Sequence, residues 1–312
     1  MARVLVTGAA GFLGSAACRL AASRGDSVLA VVREGELRAG VPGVEYETID
    51  WLNPTALASS IARHLPDAVI HCAGATPRAV QDVVGIYEAN VAPTWRLLSA
   101  VQSSCVDPMV VVVSSAAVYG STPPVPVTEE APRLPVDHYG WSKGLAEDLV
   151  RAFVGVGSLR ACIARPFNLL GRGEPAGSVV SDVVAQLAED PDRGVVRVRR
   201  VKPVRDFVAV RDAAAALLLL GERADSGGTY NVASGSGTSV LEVVRLILEV
   251  WGSSAVIESL DEEDAGPDVS IGEAGRLVSL GWKPSTTIRE AIRELQRSVT
   301  AGRGPVRSTS DS

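Results

Sequence analysis

The sequence predicts an α/β fold, a doubly wound parallel sheet with helices on both faces and a smaller, discontinuous carboxy-terminal lobe. Three observations lead there: short Val/Ile-rich runs unbroken by polar residues, helix-length segments alternating with them, and a loosening of that rhythm after about residue 165. Strands buried on both faces read as continuous apolar runs, and repeated strand–helix–strand units imply parallel order.

Taken in order, Val4–Thr7, Val28–Val32, Ala68–Cys72 and Met109–Ser114 are the runs of strand length. Ser15–Arg24, Pro54–His64 and Val91–Ser103 are the helices between them, and a further helix after Tyr139 leads to a strand at Arg160–Arg165. Beyond Pro166 come a Gly/Pro-rich loop at Gly171–Gly177, a strand of alternating Val and Arg at Val195–Arg199, and a short strand at Phe207–Val210. Helix Ala213–Leu220, strand Thr229–Val232 and helix Val240–Val250 complete the pattern. The expected division is a sheet domain of residues 1–165, to which 205–232 returns, and a second lobe from 166–204 and 233–300. Residues 301–312 are small and polar and read as a disordered tail.

Composition narrows the partners. The chain has 312 residues, 46% of them hydrophobic, which is enough for a sizeable core. Net charge is −6, so no global basic field draws nucleic acid or an anionic membrane. Cys18, Cys72, Cys105 and Cys162 are scattered among apolar or small residues with no CxxC pair, which reads as buried reduced thiols and offers no metal site. The longest apolar run, Ala213–Leu220, falls far short of the roughly 20 residues of a membrane span. With no signal segment after Met1, the expected location is cytoplasmic.

Strand Val4–Thr7 runs into Gly8-Ala9-Ala10-Gly11-Phe12-Leu13-Gly14 and then a helix. Glycines at a first strand-to-helix turn let the backbone approach a pyrophosphate, while the helix amino terminus supplies N–H donors and positive potential. That is the entrance of a dinucleotide-binding Rossmann domain.

The GxxGxxG spacing, with landmarks along most of the chain, resembles the short-chain dehydrogenase/reductase superfamily, in its extended branch of sugar-nucleotide epimerases, dehydratases and reductases. The landmarks are Val69-Ile70-His71-Cys72-Ala73-Gly74, Ser114-Ser115-Ala116-Ala117-Val118-Tyr119-Gly120, Tyr139-Gly140-Trp141-Ser142-Lys143, Arg165-Pro166-Phe167-Asn168, Arg205-Asp206-Phe207-Val208, Tyr230-Asn231-Val232 and Leu280-Gly281-Trp282-Lys283-Pro284. The resemblance implies a nicotinamide dinucleotide held by Gly8, Gly11, Phe12, Leu13, Gly14, Ala73, Gly74, Asn90, Tyr139, Lys143 and Pro166, with Asp50 at the adenine. His71 and Cys72, on a central strand, read as core filling, and Asp206 as a structural cap or pair.

The end of the second strand bears on the cofactor. NAD users place an acid there for the ribose hydroxyls. Here Arg33 follows Val32, resembling relatives that meet the 2′-phosphate of NADP, to which a guanidinium is suited. NADP(H) is therefore favoured over NAD, although Glu34 and Glu36 also allow Arg33 to be a solvated charge.

Tyr139 and Lys143 lie one helical turn apart and share a face. A nearby ammonium lowers the phenol's pKa from its usual value of about 10, which fits Tyr139 for general acid–base work. The resemblance implies that Lys143 also binds the nicotinamide ribose and that Ser115 orients the reacting oxygen. Dehydratases of the family carry an Asp-Glu pair after that serine; Ala116 and Ala117 stand there, and methyl groups cannot shuttle protons. Loss of water from the sugar is therefore not expected.

For the substrate, the resemblance implies that Asn168 and Arg205 face a diphosphate. Relatives often carry an arginine upstream of Asp268, where this chain has Asp264-Ala265-Gly266-Pro267. Arg197 and Arg199 share a strand face and could replace it, or form a solvated edge. The leading expectation is an NADPH-dependent reductase of a nucleoside-diphospho-keto-sugar. The alternatives are a C4 epimerase with tightly bound NAD, a reductase of a non-sugar ketone such as a steroid or flavonoid, and a non-catalytic dinucleotide sensor, which would have no use for a proton donor. The resemblance also implies a homodimer pairing through Val91–Ser103 and Trp141–Val154.

Overall fold

The computed structural model describes residues 1–36, 40–51, 53–77, 79–80, 82–120, 125–260 and 268–302. The chain opens with β1 (Arg3–Thr7), α1 (Phe12–Ser23), β2 (Ser27–Val32), β3 (Val44–Thr48), α2 (Pro54–His64) and β4 (Ala68–His71). Then come α3 (Val83–Ser103), β5 (Met109–Val113), one 3₁₀ turn (Ala116–Tyr119), α4 (His138–Gly155), β6 (Arg160–Pro166) and β7 (Asn168–Leu170). The remainder is α5 (Val179–Glu189), β8 (Val195–Val198), β9 (Val204–Ala209), α6 (Val210–Arg223), β10 (Thr229–Val232), β11 (Gly237–Ser239), α7 (Val240–Trp251), β12 (Val256–Ser259), β13 (Val269–Ser270), α8 (Gly275–Ser279) and α9 (Ile288–Gly302).

Seven strands make one sheet in the order β10-β6-β5-β4-β1-β2-β3, parallel throughout. The uninterrupted apolar runs have a simple cause. Val4, Val6, Val28, Ala30, Ile70 and Val111 enter the core under α1 and α6, while Leu5, Leu29, Val31, Val69, Val110 and Val112 enter the core under α2, α3 and α4. A strand alternates its side chains between faces, so burying both faces leaves no place for a polar residue. Each such Val, Leu or Ile side chain, fully buried, contributes roughly 1.5–3 kcal/mol. The order reverses between β1 and β4, the switch point at whose carboxyl ends an open α/β sheet forms its binding crevice.

A second, four-stranded sheet joins β11, β9 and β13, with β7 also pairing β9, and β12 pairs β8. A separate core packs α5, α7 and α9 against these strands, centred on Leu187, Val244, Ile247 and Ile292. The segment expected to return to the main sheet, 205–232, divides. β9 belongs to the second sheet, whereas α6 packs on α1, β4 and β5, and β10 pairs with β6.

Several boundaries differ from expectation. α3 begins eight residues before Val91, with Asp82 accepting from the N–H groups of Val84 and Gly85, and Pro93 lies inside it. A proline is best tolerated in a first turn, which is why the sequence reads as starting there. β3, Val44-Glu45-Tyr46-Glu47-Thr48, is the sheet edge and alternates charge with bulk, so it lacks the continuous apolar signature. β9 starts at Val204, and Val210, expected in that strand, already belongs to α6. Cys18 and Cys162 are buried, as expected of all four thiols, but Cys72 is half-buried and Cys105 is exposed in the turn after α3. α9 continues through Gly302, and the rest of the expected tail, 303–312, lies outside the described residues. No described helix is long and apolar enough to cross a membrane.

Candidate active site

The glycine turn after β1 is built for close approach. Gly8 has φ +65, and a Cβ on it would lie 2.6 Å from the Ala73 nitrogen and the Cys72 carbonyl carbon, at the end of β4. A Cβ on Gly14 would overlap the Gly8 oxygen. Gly11 caps α1 with no side-chain hydrogen bond, and no acid occupies the first turn. Its N–H groups and dipole are thus directed at the crevice with no side-chain anion of their own, a cradle that fits a pyrophosphate. Phe12 and Leu13 begin that helix, and a Cβ on Gly173 would lie 3.7 Å from the Phe12 ring.

Across the crevice, the segment after β4 meets α3 and α4. A Cβ on Gly74 would lie 2.6 Å from Asn90 Oδ1 and 3.1 Å from Lys143 Nζ, so these three groups adjoin. Asn90 Nδ2 donates to the Ala75 oxygen and to Ser142 Oγ, both at 3.0 Å, and Asn90 Oδ1 accepts from the Ala75 N–H. Asn90, expected at the cofactor, is 1% exposed, with both amide N–H bonds engaged by protein. It sets the backbone beside the crevice.

α4 carries Tyr139 and Lys143. Asp137 accepts from the Gly140 N–H at 2.7 Å and starts the helix, which places Tyr139 in its first turn. Gly140 admits the 3₁₀ turn: a Cβ there would lie 2.6 Å from the Ala117 oxygen. Ser115 caps that turn by accepting from the Ala117 N–H, and the turn packs against α4. Ala116 and Ala117 follow it, half-buried. Lys143 is 7% exposed, and its Nζ donates to the Val113 oxygen at 3.0 Å, the one hydrogen bond it makes among the described residues. Burial pushes its pKa down from 10.5 to about 8, against the opposing pull of Cys72 and Glu147. Two of the three ammonium hydrogens are left for a ligand.

The remaining expected residues lie on other strands and loops. Arg33 follows β2 with 72% of its side chain exposed, and its Nε donates to Glu36 Oε1 at 2.7 Å. Asp50 is exposed after β3, and Pro166 ends β6 opposite Val232. Asn168 pairs with Phe207, two residues along from Arg205, so Asn168 and Arg205 share a face of the second sheet. Arg205 does not stand free: it donates to the Asp268 backbone oxygen at 2.5 Å and forms an ion pair with the Asp268 carboxylate. Arg197 pairs with Glu258 on the neighbouring strand at 2.9 Å, and Arg199 is exposed just beyond β8. The stretch 264–267 lies outside the described residues.

His71 is neutral core. Thr94 donates its hydroxyl hydrogen to the Asn90 oxygen, so it can only accept from His71 Nε2, at 3.2 Å. His71 Nδ1 then accepts from Thr7 Oγ1 at 2.7 Å. Burial, with the nearby Lys143 charge, pushes its pKa down to about 3. Asp206, fully buried, accepts from Ser234 N and Oγ, Gly235 N and Gly272 N, which ties two loops of the second lobe together.

Sequence reasoning missed a buried polar network directly behind the site. Glu147, one turn after Lys143, accepts from Arg165 Nε at 2.8 Å, Arg165 Nη2 at 2.7 Å and Ser114 Oγ at 2.6 Å. Arg165, 2% exposed, also donates to Tyr119 Oη at 2.8 Å and lies over that ring. Tyr119 in turn donates to Asn231 Oδ1 at 2.7 Å, and the Asn231 N–H to Glu129 at 2.8 Å. Burial alone would raise the Glu147 pKa, but Arg165, Ser114 and Arg151 more than offset it and hold the carboxyl below its usual range. The signal was present: Arg165 interrupts an apolar strand, and Glu147 falls on the buried face of its helix.

Known proteins match this chain over most of its length. Residues 4–233 match the model of the NAD dependent epimerase/dehydratase family. UDP-glucose 4-epimerase of Azospirillum brasilense is 33% identical over 99% of this chain and 97% of its own length. GDP-6-deoxy-D-mannose reductase of Pseudomonas aeruginosa is 29% identical over 94% of this chain and 95% of its own. The structure of RMD from Pseudomonas aeruginosa complexed with NADPH superposes with a TM-score of 0.83 at 28% identity, covering 97% of this chain and all of that one.

Proposed function

Because the chain belongs to the NAD-dependent epimerase/dehydratase family, we propose that it is an NAD(P)-dependent enzyme of sugar nucleotides whose reaction is reduction of a keto-sugar carried on a nucleoside diphosphate. The observation that carries this reading is Lys143. A buried ammonium with one acceptor among the described residues, beside the crevice and one turn from a tyrosine, needs a partner that those residues do not supply. A dinucleotide ribose offers two hydroxyls there, with its pyrophosphate on the cradle of Gly8, Gly11 and Gly14. When bound, the reduced dinucleotide supplies the hydride.

Tyr139 gives its phenolic proton to the oxygen of the reacting carbonyl as that carbon becomes an alcohol. Lys143 stabilises the phenolate left behind by its positive charge. Ser115 donates a hydrogen bond to the same oxygen and fixes its direction. The alanines after Ser115 leave no carboxyl to expel water, which supports reduction over dehydration. Asn168 and Arg205 face the diphosphate from the second lobe, with Arg205 first exchanging its bond to Asp268.

Arg33 supports NADP. Its exposed guanidinium, tied down only by Glu36 among the described residues, stands at the strand end where a 2′-phosphate would lie. The 33% identity to a UDP-glucose 4-epimerase supports a second reading, C4 epimerisation with retained NAD. One measurement separates them: dinucleotide affinities of the wild type and Arg33→Ala. For the reductase, NADPH binds more tightly than NADH, and the substitution weakens NADPH by roughly ten- to a hundredfold while leaving NADH unchanged. Equal affinities in the wild type, with NAD copurifying and never consumed, would establish the epimerase.

A homodimer forming through α3 and α4 also fits. These two helices pack together and expose Trp95, Trp141 and Leu145. Sedimentation should give twice the chain mass at micromolar concentration; monomer alone would reject the pairing.

A further inference from the structure

A cleft of about 780 Å³ opens between α1, α6 and α9, and none of the residues assigned above to the dinucleotide, the sugar nucleotide or proton transfer lines it. Four guanidiniums converge there: Arg19 from α1, Arg172 from the loop after β7, Arg211 from α6 and Arg297 from α9. The one carboxylate among the lining residues is Glu294, and it is bound to Arg211 at 2.9 Å. Three guanidiniums therefore face the cleft with no ion pair or side-chain hydrogen bond to any described residue.

Arg19 is the telling member. It is half-buried, and burial together with the neighbouring Arg172 lowers its hold on its proton. A partly desolvated cation beside a like charge destabilises the fold unless an anion joins them. The chain's net charge of −6 gives no general reason for such a positive concentration. Structural arginines elsewhere in this molecule, such as Arg165, are paired.

We propose that this cleft is a second binding site, for an organic phosphate of nucleotide size. Guanidiniums meet phosphate oxygens with forked, charge-assisted bonds. The volume is that of a small-molecule site, too large for a lone inorganic ion. Leu20 supplies an apolar wall for the part of the ligand that carries the phosphate.

The test uses the enzyme with its dinucleotide site saturated by NADPH and titrates adenosine triphosphate or pyrophosphate by calorimetry. One molecule of adenosine triphosphate should bind per chain. Arg19→Met and Arg172→Met should each weaken that binding roughly tenfold or more, while NADPH affinity stays unchanged. Pyrophosphate binding as tightly as the nucleotide would show that the phosphates alone are read and would refute the organic part of the proposal. Weaker pyrophosphate binding supports it. Absent binding, or binding indifferent to both substitutions, overturns the site. Thermal melting without ligand provides a second readout. Relief of repulsion should leave Arg19→Met at or above the wild-type melting temperature, whereas a lower one would make Arg19 a structural residue and refute the proposal.

Discussion

Glu147 offers the sharpest test of how the site is held. Its carboxylate is fully buried and accepts both forks of Arg165, at 2.8 and 2.7 Å, and the Ser114 hydroxyl. Replacing Glu147 with leucine leaves a guanidinium 2% exposed, with Tyr119 as its main remaining partner. Removing one member of a buried pair costs about 3–5 kcal/mol. The double variant Glu147→Leu/Arg165→Met removes both charges, so that cost disappears. The hydroxyls of Ser114 and Tyr119 lose partners at about 1 kcal/mol each, while the partly exposed Arg151 and Arg133 lose Glu147 in both variants alike and keep Asp148. The double variant should therefore be more stable than the single one by about 1–3 kcal/mol, read from urea denaturation followed by tryptophan fluorescence. Ser114 adjoins Ser115, and Glu147 lies one turn from Lys143. Turnover should accordingly drop in both variants at temperatures where both are folded, more than dinucleotide affinity does. If the double variant is no more stable than Glu147→Leu, the pair is not the source of the cost and the argument fails.

The other expectations are narrower. Tyr139→Phe should keep dinucleotide affinity and lose turnover by roughly 10²–10⁴-fold, and near-wild-type turnover would remove Tyr139 from the mechanism. Lys143, with its pKa lowered from 10.5 to about 8, should give a basic limb in turnover near pH 8, because the ammonium is the working form. Its stability effect has the opposite sign. Between pH 8 and 10.5 the unfolded chain holds the extra proton, so unfolding free energy from this group rises with pH across that window. A profile flat to pH 10 would exclude the ammonium's role. A nucleoside-diphospho-hexose incubated with oxidised cofactor should yield no product lighter by one water, and its detection by mass would overturn the argument from Ala116 and Ala117.

The parallel sheet was legible because both of its faces are buried, which leaves the strongest signature a strand can carry. β3 and the strands of the second lobe are short, or open to solvent on one side, and carry no such mark. The glycine turn, Ser115, Tyr139 and Lys143 were legible because their spacing is tied to one strand, one turn and one helix. Asn90 and Arg205 were located by sequence, but their present partners, the Ala75 backbone and Asp268, could not be. Such contacts depend on side-chain rotamers and on strand pairing across 63 residues, which no local pattern encodes. The network through Glu147, Arg165, Tyr119 and Asn231 is nonlocal in the same way, with steps of 18, 46 and 112 residues.

Counting partners separates the cations of this molecule by purpose. Arg165, Lys143 and Arg19 are all withdrawn from water to some degree, and each incurs a desolvation cost. Arg165 recovers it fully through Glu147 and Tyr119, so it serves the fold, and removing Glu147 should destabilise the chain. Lys143 recovers it partly, through Val113, and Arg19 not at all among the described residues. Ligand-free Lys143→Met and Arg19→Met should therefore melt no lower than the wild type, while each loses its own ligand: NADPH in the first, the nucleotide of the second cleft in the second. Residues kept at a cost to the empty fold are those whose partner arrives from solution. A marked fall in melting temperature for Lys143→Met would mean that its charge is already compensated by the protein, and would take away the main support for a dinucleotide ribose beside it.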